Sequence, residues 1–156
     1  MVKEKKETVL SLLKQIKDIL LEGRGPVSKP LFENKRLICN ADGNFTDKQL
    51  PLIWAKEDLP TKMTQAEAIE ACKKLGKGWY SASDKEFESI FDRTRYNPAI
   101  IPEAEVLGLK TDDWYVTRTP HAGNPGLAWC VGIKDGVVYY GYKDIKYYVR
   151  PVRSSQ

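Results

Sequence analysis

At 156 residues with 42% hydrophobic side chains, the chain can bury one core and is too short for two ordinary domains. Its 25 basic and 21 acidic side chains leave a net charge of +4, interspersed along the sequence, which excludes the dense basic track of a nucleic-acid binder. Three widely spaced cysteines, Cys39, Cys72 and Cys130, and a single histidine, His121, exclude a disulfide framework and a Cys/His zinc site, so free thiols are expected.

The first element is an amphipathic helix over residues 1–22, with apolar side chains at Val9, Leu12, Leu13, Ile16, Ile19 and Leu20 and charged residues opposite. Lys14, Lys17 and Asp18 interrupt the run, so it is neither a signal peptide nor a membrane span. Cytoplasmic synthesis is the default expectation. Gly23-Arg24-Gly25-Pro26 stops the helix, and residues 23–30 read as a linker. A helix of this length is marginal alone in water. Its stripe is expected to pack back on its own domain, or failing that to self-associate in a short bundle.

From residue 31 onward the pattern is mixed. Arg36 to Cys39 reads as a strand, Asp42-Gly43 as a turn, and Leu52-Ile53-Trp54 as a second apolar piece. Thr64-Gln65-Ala66-Glu67 and Ser83-Asp84-Lys85-Glu86 each place a hydroxyl three residues before a glutamate, the reciprocal arrangement that satisfies free amide donors at a helix start. The first of these helices is expected to bury Ala66, Ile69, Cys72 and Leu75 and to end at Gly76. The second should bury Phe87, Ile90 and Phe91.

The last fifty residues hold Trp114, Trp129 and six tyrosines. Trp114 to Thr119 reads as a strand, and residues 120–126 as a Gly/Pro loop. Leu127, Trp129, Val131 and Ile133 then alternate with Ala128, Cys130, Gly132 and Lys134. Alternation puts the first set in the core and the second set outside. Asp135-Gly136 signals a tight turn, Val137 to Tyr142 should return antiparallel, and Tyr147 to Val152 should supply a further strand.

These pieces, in this order, resemble a C-type-lectin-like domain family known from the C-terminal part of a bacterial collagen-like adhesin, long held as a domain of unknown function. The resemblance spans roughly residues 50–153. It rests on Ile53-Trp54 before a helix bearing Ala66, Ala68 and Cys72, on Gly78-Trp79 before Lys85-Glu86-Phe87, and on the ending. That ending runs through Asp113-Trp114, Thr117, Ala128-Trp129, Val131, Asp135-Gly136, Val138, Lys143 and Tyr148-Val149-Arg150-Pro151-Val152-Arg153. The family usually has Arg-Leu-Pro after the tryptophan at 79, where this chain has Tyr80-Ser81-Ala82. The resemblance implies an α+β, C-type-lectin-like fold over residues 31–156, with two helices on short antiparallel strands joined by long loops.

The same ending is similar to the variable proteins of diversity-generating retroelements. In that family, positions needed for packing stay fixed while surface neighbours are rewritten at template adenines. The neighbours here are Tyr115, Arg118, Pro120, His121, Asn124, Cys130, Gly132, Val137, Tyr139, Tyr140, Gly141, Tyr142, Asp144, Ile145 and Tyr147. All are types reachable from an asparagine codon by changing its two adenines; Lys134 and Lys146 are not.

The residues themselves point to recognition, because tyrosine offers stiff contact area with a polar tip. A strand cannot bury consecutive Tyr139 and Tyr140 on one side. The expected ligand-binding set is Tyr115, Arg118, His121, Asn124, Cys130, Gly132, Lys134, Tyr139, Tyr140, Tyr142, Asp144, Lys146 and Tyr147. A protein partner suits a broad aromatic face better than a small ligand does. The alternative is a structural or assembly module whose aromatic face is covered by another subunit. Arg150 and Arg153 are expected to pair with carbonyls or a carboxylate. His121 has no triad partner at motif spacing, no calcium-loop motif is present, and the cysteine pair of formylglycine-generating relatives is missing. No cofactor, no metal and no catalytic residue are therefore expected.

Overall fold

The computed structural model describes residues 2–22 and 28–156; most of the expected linker, residues 23–27, lies outside the described residues. Helix α1 spans Val2–Glu22. Its described apolar residues Val9, Leu10, Leu12, Leu13 and Ile16 are 50–65% exposed. The expectation that this stripe packs back on its own domain is therefore not met at those residues.

A six-stranded antiparallel sheet has the order β1-β2-β3-β4-β9-β5. Its members are β1 (Phe32–Glu33), β2 (Leu37–Cys39), β3 (Phe45–Asp47), β4 (Leu52–Trp54), β5 (Tyr80–Ser81) and β9 (Pro151–Ser154). The expected strand over Tyr147 to Val152 is thus displaced towards the C-terminus, and Tyr147 and Tyr148 make only isolated bridges to Met63 and Tyr115. The reason is Arg150, whose side chain turns inward to meet buried partners instead of alternating along a ladder. A three-stranded antiparallel sheet follows the order β6-β7-β8, with β6 (Tyr115–Pro120), β7 (Leu127–Gly132) and β8 (Val137–Tyr142).

Helix α2 (Gln65–Lys74) and the short α3 (Asp84–Glu88) both begin with the reciprocal caps read from sequence, at Thr64/Glu67 and Ser83/Glu86. The buried face of α2 differs from expectation. Gln65, Ala68 and Cys72 are buried, whereas Ala66, Ile69 and Leu75 are exposed. Gln65 Nε2 donates to the carbonyl oxygens of Thr117 at 3.0 Å and Thr119 at 3.3 Å, and this polar anchor sets the rotation of the helix.

The main core gathers Leu37, Trp54, Phe87, Ile90, Tyr115, Val131, Ile133 and Val152 between the two sheets and α3. A second, smaller cluster of Ala68, Cys72, Val116 and Val149 lies under α2, with Met63 and Tyr147 packed against it. The three-stranded sheet is thus covered on both faces along part of its length.

Candidate aromatic recognition face

The pairing of β7 with β8 fixes which side chains share a face. Val131 pairs with Val138, Trp129 with Tyr140, and Leu127 with Tyr142. Residues directly opposite project to the same side. Near the Asp135-Gly136 turn that side is the main core, where Val131 is fully buried. Farther along the hairpin the core runs out, and the same side carries Trp129 and Tyr140 at the surface. Trp129 is half-buried, so it belongs to this surface array rather than to the core where alternation had placed it.

His121, from the loop after β6, completes the array. Its ring centroid lies 5.2 Å from Trp129 and 5.0 Å from Tyr140, and the Trp129 and Tyr140 rings meet edge to face at 5.8 Å. Gly123 N donates to His121 Nδ1 at 3.2 Å, so the loop holds the ring by its own backbone. Tyr139 stacks on Tyr140 with centroids 4.8 Å apart and planes 10° apart, and touches Trp114 at 6.3 Å. The free edge of β8 gives both tyrosines room to lean outward. Tyr139, Tyr140 and Tyr142 are 54%, 41% and 68% exposed. Five rings in contact form a stiff apolar surface whose phenol and imidazole edges remain available for hydrogen bonds.

The opposite side of the hairpin behaves differently. Ala128 pairs with Gly141, and Cys130 pairs with Tyr139 on β8 and Val116 on β6. Cys130 does point away from Val131, as alternation requires, but it is buried against the second cluster and not offered to solvent. Burial pushes its thiol up to about 11, with Asp113 adding to the effect. Tyr147 covers this side. Its hydroxyl would lie 3.2 Å from a Cβ placed on Gly141, so a larger side chain there would have to push the Tyr147 ring aside. Burial, and then the neighbouring Cys130 and Asp113, push the Tyr147 hydroxyl upward. The space left between them is about 10 Å³, at most a single water.

Two further expected contact residues take other roles. Tyr115 is fully buried; its hydroxyl donates to Asp58 Oδ2 at 2.7 Å and accepts from the Lys110 amide at 2.8 Å. Pairing with buried Val131 places it in the core, which removes it from any contact surface. Gly132 lies under the Trp114 ring, 3.4 Å from where its Cβ would stand.

The remaining expected residues are spread around the face. Arg118 is exposed, forms an ion pair with Glu86 and lies over the Tyr80 ring at 4.4 Å. Asn124 is exposed and caps its own loop by accepting from the Gly126 amide at 2.9 Å. Lys134 stands over Tyr96 at 5.7 Å near the turn end, away from the ring array. Asp144 and Lys146 are exposed beside β8, and Lys146 Nζ lies 3.8 Å from Glu67. Trp114 and Trp129 are the members of the array that lay outside the expected set, because a tryptophan in a framework position reads as core.

The framework positions have structural roles of their own. Thr117 is buried and its hydroxyl donates to the Trp129 carbonyl oxygen at 2.7 Å, bridging the irregular register between Val116 and Pro120. Arg150 pairs with the Asp58 carboxylate and donates to the carbonyl oxygens of Ala55 and Leu107, as expected. Arg153 differs. It lies over the Trp79 ring at 5.0 Å, and its Nε is buried without a hydrogen-bond partner among the described residues.

Among the described residues no group of three or more His, Cys, Asp and Glu side chains is placed to hold a metal ion. No described helix is long and apolar enough to cross a membrane. No curated protein matches the chain. The family model of the Lcl C-terminal domain, however, matches residues 43–153, which takes in both sheets from the Asp42-Gly43 turn onward, the ring array and the Arg150 anchor. With more than two thirds of its length so matched, the chain belongs to the Lcl C-terminal domain family.

Proposed function

We propose that this chain is a noncatalytic binding protein with a C-type-lectin-like fold, which engages a protein partner through the ring array on the β7–β8 hairpin. One observation carries the reading: framework and neighbour positions separate by burial. Thr117, Ala128, Val131, Gly136, Val149, Arg150, Pro151 and Val152 are buried. Their neighbours Arg118, Pro120, Asn124, Val137, Tyr139, Tyr140, Tyr142, Asp144 and Ile145 are exposed. Among the neighbours Tyr115 and Cys130 are buried and His121, Gly132, Gly141 and Tyr147 half-buried; among the framework Asp135 is exposed, and Trp114, Trp129, Val138, Lys143, Tyr148 and Arg153 are half-buried. This division suits a scaffold whose outer residues can be exchanged without loss of packing, and so supports descent from a retroelement-diversified variable protein. The exchangeable set on this reading is the exposed group, without Tyr115 and Cys130.

Binding proceeds without metal, by shape and by the aromatic edges. The filled space around Cys130 supports a binding role over a catalytic one. The test is a partner screen on a protein array with the intact chain and a Tyr139→Ala/Tyr140→Ala/Tyr142→Ala variant of equal thermal stability. Loss of the same partners by the variant supports the reading, and unchanged binding overturns it. The diversified origin is tested separately in the genome: a reverse-transcriptase gene beside an imperfect copy of the segment encoding residues 114–147 is expected.

A further inference from the structure

We propose that the outer face of the larger sheet is a second binding surface, suited to an acidic segment of a partner protein whose carboxylate is taken by Arg153. The surface shares no residue with the ring array. Strand register defines it. Glu33 pairs with Ile38, Ile38 with Thr46, Thr46 with Ile53 and Ile53 with Arg153, so these five stand in one row across the strands. Trp79, whose ring Arg153 covers at 5.0 Å, ends the row beside β5. Leu37, Phe45, Trp54 and Val152 on the same strands point the other way, into the main core. Ile38, Thr46, Ile53, Arg153 and Trp79 are half-buried, and Ile38, Ile53 and Trp79 belong to neither core cluster.

Arg153 gives the face its chemistry. Arg36, Arg93, Arg95, Arg118 and Arg150 each donate a hydrogen bond to an oxygen. Among the described residues Arg153 donates none and has no carboxylate beside it. Its Nε is enclosed, whereas the two Nη groups are not, so the end of the guanidinium fork is presented to the outside. Two parallel N–H donors of that kind match a carboxylate. The Trp79 ring and the β9 backbone already hold the group, so little freedom is lost on binding.

The rest of the row identifies what carries the carboxylate. Ile53 stands next to Arg153 on the neighbouring strand, about 5 Å away, and Ile38 lies two strands farther. A free anion would leave these apolar side chains uncovered. An extended protein segment sets a carboxylate and an apolar side chain two residues apart on one side, roughly 7 Å, and covers both. A second copy of this chain supplies no spare acid from the same row, because its one acidic residue, Glu33, is held by Lys48 Nζ at 2.7 Å.

The experiment is fluorescence polarisation on the full chain, with an end-labelled peptide Val-Ser-Glu-Ser-Val-Ser-Glu and its counterpart with glutamine in place of glutamate. The acidic peptide is expected to bind the unchanged chain, Lys134→Gln, which loses the same charge elsewhere, and Tyr139→Ala/Tyr140→Ala, which removes the ring stack. Arg153→Gln should bind it about tenfold more weakly or worse. The glutamine peptide should be as weak on the unchanged chain, which tests the carboxylate without altering the protein. No binding of the acidic peptide to the unchanged chain overturns the proposal. So does equal binding of the glutamine peptide, undiminished binding by Arg153→Gln, loss of binding in the ring-stack variant, or full competition by inorganic phosphate at matched ionic strength. A mass by light scattering that falls in Arg153→Gln would put a second copy on the face, and overturns it as well.

Discussion

Arg150 Nε lies 2.7 Å from Asp58 Oδ1, with the arginine side chain buried and the carboxylate 9% exposed. The same carboxylate accepts the Tyr115 hydroxyl through Oδ2, so one acid ties β6, the loop after β4 and the approach to β9 together. Removing one partner from a buried pair strands the other charge. Asp58→Ala should therefore lower stability by about 3–5 kcal/mol in chemical denaturation. Tyr115→Phe, which deletes only the hydroxyl, should cost about 1–2 kcal/mol.

A second buried pair gives a pH dependence. Arg36 Nε and Nη2 donate to the Asp47 carboxylate at 2.8 and 3.0 Å. Burial pushes that carboxyl up, but Arg36, the Gln49 and Leu50 amides and the Trp54 indole together hold it below its ordinary value of 3.8. A folded value lower than the unfolded one means the contribution is complete above 3.8 and disappears as pH falls through the folded value. The melting temperature should drop steeply below pH 3.8 in the natural protein. In Asp47→Asn the acid limb should be shallower, starting from a lower melting temperature at neutral pH.

The exposed tyrosines should be separable from stability. Alanine at Tyr139, Tyr140 and Tyr142 together should change unfolding free energy by no more than about 1 kcal/mol, since surface substitutions of this kind cost little. Thermal denaturation decides the matter, and a much larger loss would place the stacked pair in the framework.

The thiols should be silent in the folded protein. Burial pushes Cys72 and Cys130 up to about 11, and Cys39 is buried as well. A disulfide reagent at pH 8 should find no reactive thiol in the native chain and all three in urea, as read by thiolate release.

Gly136 sits at φ +67° in the β7–β8 turn, and a Cβ there would stand 3.3 Å from the Ala99 side chain. Gly136→Ala should cost about 1–3 kcal/mol, from left-handed strain together with the contact. The same substitution at Gly123, which has no left-handed backbone, should cost less.

What the sequence discloses here is whatever is local. Both helix caps follow from a hydroxyl and a glutamate three residues apart, and the β7–β8 hairpin follows from alternation around Asp135-Gly136. The rotation of α2 is not local, because Gln65 seeks carbonyl oxygens on a strand fifty residues away. Cys130 shows the limit most clearly. Alternation gives its side correctly and says nothing of the cover, which Tyr147 and the second cluster supply from other parts of the chain. Trp129 and Trp114 mislead for the converse reason, since a large apolar ring reads as interior wherever the interior ends.

The position of β9 between β4 and β5 governs how the molecule is made. Its four residues lie inside the larger sheet beside the edge strand β5, and they follow the whole β6–β8 hairpin region in the chain. Without them Trp54 and Tyr80 have no strand between them, and β5 has no partner in the sheet. A frameshift or stop codon just before Pro151 would yield a polypeptide with the whole ring array encoded and the larger sheet severed between β4 and β5.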